Sequence, residues 1–374
     1  AARADIPPYL RFGLAGCVTG TVLAGATAAY SGRSVATVAG MTIVVVATFV
    51  VVALATKLLT GDETFSFYHH VLAAAVSVTA FLVVVGAPVR VNLDLLVLGL
   101  VGHQAVGRLG CQATGCCHGR PAAWGIRYGP QPPGEGVTDH LVGVVLFPVQ
   151  AVESLACAVI AAIGAIGIIR GWAPGAGLVW CAGAYAATRF VLERWRGDDD
   201  RRYLAGVSSP RWTSLGIVVV LAALSLVGVL PGAPFIVPLA GVLAIACTAL
   251  VVARRHGPAT AGGLLEPVHV HELAHVLDAG IAAEPVQGPP RLWQTSRGLV
   301  VSTEVQPDGD RAVRLYSLSH ASHQLDERTA GRLARLILQL RHPDLDYVLL
   351  PGAAGVHHLL VVGTAASSVP VLDG

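Results

Sequence analysis

Long, almost uncharged apolar runs recur along the first two thirds of this chain, and nothing else in it restricts the fold as much. A helix needs about 20 predominantly apolar residues to cross a hydrocarbon core. Runs of that order occupy 9–30, 36–57, 65–88, 142–169, 176–195, 212–231 and 234–253, with a shorter one at 93–107. The pattern predicts an α-helical polytopic membrane protein with seven or eight spans. The composition agrees: of 374 residues, 54% are hydrophobic and only 13% charged, where a water-soluble domain is nearer a quarter charged. Disordered, collagen-like and coiled-coil classes are excluded on the same figures. A formal charge of +2 with no basic tract excludes nucleic acid as a partner. The first run has no clear cleavage site after it and reads as a span, not a removable signal.

The character of the chain changes near Gly257. Residues 1–256 read as a transmembrane domain and 257–374 as a small soluble α+β accessory domain. In the tail, Leu299–Val305 and Ala312–Leu318 flank the turn signal Pro307-Asp308-Gly309-Asp310, which predicts a hairpin. Asp326 is placed to cap a helix running to about Arg341, with Leu333, Leu336, Ile337 and Leu340 on one face. Tyr347–Leu350 and His358–Val362 read as short strands.

Chemistry concentrates in four stretches. Gly107–Arg120 is dense in glycine and carries Arg108, Cys111, Cys116, Cys117 and His118 at membrane depth. Irregular backbone is tolerated there only where protein or a water-filled cavity surrounds it, and ionisable groups there are functional candidates. Tyr185, Arg189 and Glu193 recur every four residues, which places them on one helix face with Arg189 and Glu193 set to pair. Gln150 and Glu153 lie near the start of another span, and His69 and His70 at the start of a fourth. Together they predict one polar cavity that holds an anionic lipid headgroup. The other four of the seven cysteines (Cys17, Cys157, Cys181 and Cys247) stand singly in apolar stretches, and the odd count argues against a disulfide framework.

These stretches resemble the prolipoprotein diacylglyceryl transferase family over roughly residues 8–230. Gly107–Gly119 resembles its GRxGNFxNGExxG run, Tyr185-Arg189-Glu193 its Y-x-x-x-R-x-x-x-E helix, Phe147–Glu153 its HPxQxYE run and Ser66–His70 its SFHGG run. The chain departs from the family at Cys111 (asparagine there), Cys116 (glutamate), Phe147 (histidine), Val152 (tyrosine) and Phe12 (tyrosine). The resemblance implies transfer of a diacylglyceryl group from phosphatidylglycerol to a lipoprotein-precursor thiol, in the bacterial cytoplasmic membrane, with no metal or other cofactor. It implies catalytic roles for Arg108, Arg189, Glu193 and a histidine base at His69 or His70. Substrate contacts would come from Tyr185, Cys111, Cys116, Gly119, Gln150 and Glu153. Arginine suits such a site because its guanidinium grips phosphate oxygens bidentately and stays charged in a low dielectric.

Other readings start from the residues themselves. The altered motif fits a divergent member that modifies a different acceptor. Cys111, Cys116, Cys117 and His118 offer ligands for a soft metal, or a dithiol that cycles with a disulfide. His271-Glu272-Leu273-Ala274-His275 is a literal H-E-x-x-H, the pattern of a zinc metalloprotease, and equally of a surface helix with solvated histidines.

Overall fold

The computed structural model describes residues 7–60, 67–130, 136–198, 202–256, 263–283, 291–308, 311–343 and 345–362. The chain forms two compact units. The first takes Ala1–Ala113, Gln150–Arg194 and Ser208–Thr248, and the second takes Thr114–Val149, Trp195–Val207 and Ala249–Gly374.

Eight apolar helices run through the first two thirds: α1 (Pro8–Tyr30), α2 (Val35–Thr60), α3 (Phe67–Val84), α4 (Val89–Thr114), α5 (Val149–Ile169), α6 (Ala176–Leu192), α7 (Ser209–Leu226) and α8 (Ala233–His256). Among the described residues, six of them (α1, α2, α4, α5, α7 and α8) are long and apolar enough to cross a membrane. The chain is a helical polytopic membrane protein. Small residues set its packing. The buried face of α1 is Gly16, Gly20, Ala24, Thr27 and Ala28. A Cβ on Gly20 would stand 2.3 Å from the carbonyl oxygen of Gly99, so only glycine permits this close approach, the usual device where lipid removes the hydrophobic drive between helices. Leu14, Val18 and Val22 of the same helix face outward.

Two sequence expectations shift here. The short run at 93–107 is part of the longer, continuous α4, whose 26 residues extend through Gly107 and Gly110 to Thr114. The glycine-rich motif is therefore helical in its first half, and Gly110 packs where a Cβ would meet Phe12 at 2.7 Å. The backbone turns only afterwards, at Gly115 (φ +78°) and Cys117 (φ +54°). The run at 142–169 in turn becomes helical only at Val149, because the residues ahead of it pair as a strand and Pro148 marks the helix start.

The described residues of the second unit form three small sheets. The strands β1 (Pro121–Arg127) and β2 (Val145–Leu146) pair, as do β3 (Tyr203–Leu204) and β4 (Val207–Ser208). The third sheet is five-stranded and antiparallel in the order β5-β6-β7-β9-β8, from β5 (Trp293–Gln294), β6 (Leu299–Asp308), β7 (Arg311–His320), β8 (Asp346–Pro351) and β9 (His357–Val362). The predicted hairpin is β6–β7, in register from Leu299↔His320 to Asp308↔Arg311. The helices α9 (Pro267–Ala282) and α10 (Glu327–Arg341) belong to the same unit. Asp326 caps α10 as its position predicts: its carboxylate accepts from the Thr329 backbone N–H at 2.9 Å and the Thr329 hydroxyl at 2.6 Å. Leu333, Leu336, Ile337 and Leu340 are buried with Leu299, Tyr316, Leu318, Leu359 and Val361. Tyr128, Leu141 and Leu146, from the segment between α4 and α5, join the same core.

Candidate active site

Charged and polar side chains gather inside the first unit from three helices. Arg108 lies near the end of α4, Glu153 one turn into α5, and Tyr185 and Arg189 along α6. The Arg108 guanidinium lies 3.1 Å from Glu153 Oε1, and the Tyr185 hydroxyl donates to that same oxygen at 3.2 Å. Glu153 is completely buried, as is Gln150 one turn before it. Along α6, Arg189 Nη1 meets Glu193 Oε2 at 3.2 Å, with both side chains buried, so the pairing expected from their spacing is formed. Tyr185 lies within electrostatic reach of Arg108, Arg189 and Glu153. Removing an ion from water costs several kcal/mol even after relaxation, which is why these four charges occur as two opposite pairs. Such a cluster holds two planar cations in a water-poor interior, each on a carboxylate that an incoming oxyanion can replace.

The remaining candidates are distributed as follows. His70 is buried at the start of α3, its ring centroid 4.7 Å from that of Phe49 on α2. The His69 side chain lies outside the described residues. Cys111 follows Arg108 by three residues on α4 and is half-buried. Cys116 and Gly119 belong to the second unit. The Cys116 thiol accepts from the Thr114 hydroxyl at 3.3 Å and lies within 4.8 Å of the Cys117 thiol. Gly119 bridges to Arg196, and a Cβ there would meet the Phe147 carbonyl oxygen at 2.1 Å, so its glycine is a packing necessity. His118 is buried with Nδ1 3.0 Å from the Gly119 carbonyl. Glu272, the base in an H-E-x-x-H protease, instead accepts from the backbone N–H and hydroxyl of Ser296.

The sequence profile of the prolipoprotein diacylglyceryl transferases matches residues 32–227. The chain belongs to that family. No curated protein and no solved structure matches it. Membership makes it a transferase-like protein of lipoprotein biosynthesis, in a family that acts on phospholipid and prolipoprotein. The matched span contains Arg108, Glu153, Tyr185, Arg189 and Glu193, together with the family's altered positions at Cys111 and Cys116.

Two features of this unit escape sequence reasoning. One is the Arg108–Glu153 pair, which joins residues on different helices. The other is Asp94, buried in α4, whose carboxylate accepts the backbone N–H groups of Gly175 at 2.9 Å and Leu178 at 2.8 Å. Asp94 thereby caps the start of α6, where Gly175 takes a left-handed φ of +96°. It positions the helix that carries Tyr185 and Arg189. A lone carboxylate within an apolar run is the signal that marks it.

Proposed function

We propose that this protein transfers the diacylglyceryl group of phosphatidylglycerol to the cysteine thiol of a lipoprotein precursor at the bacterial cytoplasmic membrane. Arg108 and Arg189 hold the lipid phosphate, Glu193 orients Arg189, and Tyr185, Gln150 and Glu153 shape the pocket around it. A histidine at the start of α3, His70 or His69, takes the thiol proton. The thiolate sulphur then attacks the diacylglyceryl carbon bound to phosphate oxygen. A C–S bond forms, the C–O bond breaks, and glycerol phosphate leaves with the bonding pair. The arginines oppose the charge that grows on that leaving group. In this reading all eight apolar helices cross the membrane, and residues 257–374 contribute most of a soluble accessory unit that also takes in Thr114–Val149 and Trp195–Val207.

The buried Arg108–Glu153–Tyr185 cluster, inside the span that matches the family, carries this reading. It is tested with the full chain, phosphatidylglycerol vesicles and a precursor peptide. Arg108→Lys and Arg189→Lys each keep the charge and lose the planar fork. Each should lower the transfer rate by about tenfold or more, since charged hydrogen bonds are worth about 1.5–3 kcal/mol. Wild-type rates in both variants would remove the assignment.

A second reading keeps the lipid site and changes the acceptor. Cys111, Cys116 and Phe147 favour it, because they replace an asparagine, a glutamate and a histidine of the family motifs. Headgroup release from phosphatidylglycerol without modification of the precursor peptide would select this reading over the first.

A further inference from the structure

The second unit contains a cleft that the transferase chemistry does not use. Five chain segments converge on it: the start of β1, the 3-10 helix Asp139–Leu141, Gly197, the start of α9 and one stripe of α10. Its volume is about 290 Å3, at the lower end of small-molecule sites, which run from about 300 to 1,000 Å3. Arg332 and Arg335 stand three positions apart on α10, and that spacing sets them side by side on one face. Both line the cleft, as does Arg120 just before β1, and among the described residues no aspartate or glutamate does. Arg120 is half-buried and held by backbone carbonyls, its Nε donating to Arg196 at 2.9 Å and its Nη1 to Leu265 at 3.4 Å. Arg335 Nε donates to the Gly331 carbonyl at 3.2 Å. Arg332 is exposed, and among the described residues no hydrogen bond or ion pair engages it. His140 also lines the cleft; it is 7% exposed, and its Nδ1 is buried with no hydrogen-bond partner among the described residues. Its ring meets His271 edge-on with centroids 4.4 Å apart. Arg341, forked onto both Asp278 oxygens at 2.7 Å, also reaches the carbonyls of Ala274 and His140 and so clamps this wall to α9.

We propose that this cleft binds a phosphate monoester with a small, partly apolar body. Three guanidinium groups around one volume repel each other, and a doubly charged phosphate among them offsets more of that repulsion than a carboxylate does. Guanidinium also matches phosphate in shape, gripping two of its oxygens at once. The acids beside lining residues are engaged with other cations: Glu266 pairs with Arg297 at 2.6 Å and Asp198 with Arg196 at 2.8 Å. Leu141, Val270 and Leu336 give the cleft an apolar lining for the carbon body of the ligand, and the exposure of Arg332 and Arg335 leaves the phosphate an open way in. Two sources offer this chemistry, a free glycerol phosphate and the headgroup of phosphatidic acid. The cleft belongs wholly to the second unit, so it stands or falls separately from the phosphate grip of Arg108 and Arg189.

The test is a calorimetric titration of the full chain in detergent, with glycerol 3-phosphate in one arm and short-chain phosphatidic acid in the other. The expected result is a saturable equivalent of at least one of the two, with glycerol alone giving no heat of binding. Uptake of glycerol 3-phosphate identifies the free monoester as the source; uptake of phosphatidic acid alone identifies the lipid headgroup. Arg332→Ala and Arg335→Ala change exposed side chains and leave the core of α10 intact, so their thermal unfolding should match the parent's. Each should weaken binding about tenfold or more, the loss of a charged hydrogen bond, while Arg108→Lys leaves this equivalent unchanged. The proposal is overturned if neither phosphate saturates, or if both α10 variants bind as tightly as the parent.

Discussion

Both units bury an apolar core, but they differ in what their outer faces carry. On α2, Ile43, Val46, Val50, Val51 and Leu54 are exposed, while the interior of the same unit buries Asp94, Glu153 and Arg189. On α10 the order reverses: Leu333, Leu336, Ile337 and Leu340 point inward, and Arg328, Arg332 and Arg335 face out. Each arrangement is stable in one solvent only. Hydrocarbon has no quarrel with an outward isoleucine, and water rewards hiding one. Burial is thus not a property of a residue type, and a charge inside the first unit carries more information than a leucine there.

This contrast can be broken or sharpened by experiment. The largest effect is expected from a chain ending at residue 256, which removes most of the core around Tyr128, Leu141 and Leu146. We expect aggregation on size-exclusion chromatography in detergent; a monodisperse species would show that the earlier segments need no partner. Next, Glu153→Ala leaves the Arg108 cation buried beside a vacant site and should cost about 3–5 kcal/mol, read as lost thermal stability, with transfer activity gone as well. Third, Ile43→Asp, at a position 70% exposed, should cost about 2.5–3.5 kcal/mol in membrane insertion. Leu350→Asp, 45% exposed on β8, should stay within about 0.5 kcal/mol. Equal costs at the two positions would erase the distinction between the units.

The smallest effect is a pH dependence of the second unit. Burial first, then the Arg314 and Arg341 charges, lower His342 to about 4, and the Tyr316 hydroxyl lies 2.8 Å from its Nε2. Between that value and the ordinary histidine value of about 6.5, the unfolded chain binds the proton more readily, so stability falls as pH drops through this window. Denaturation followed at Tyr316 should show the slope, and His342→Gln should flatten it.

What the sequence discloses follows from how local each feature is. The α10 cap at Asp326, the β6–β7 hairpin and the Arg189–Glu193 pair all join residues within a few positions, and all are readable from spacing. Arg108 and Glu153 are each recognisable as charges that need a partner, yet periodicity does not say that they are each other's. The capping of α6 by Asp94 and the meeting of His140 with His271 are hidden for the same reason. The membership of 114–149 and 195–207 in the second unit is likewise decided by residues far along the chain. Composition marks a change at Gly257, because composition averages over neighbours and cannot register a partner two hundred residues away.

That interleaving bears on the order in which the chain can fold as it is made. Three chain segments build the second unit. The stretch between the first and second segments contains α5 and α6; the stretch between the second and third contains α7 and most of α8. Tyr128, Leu141 and Leu146 are synthesised long before Leu299, Tyr316 and Leu359, the residues they are buried with. A nascent chain folds from its N-terminus as units are completed, so the segment that precedes α5 must wait for the last third of the chain before its apolar side chains have partners.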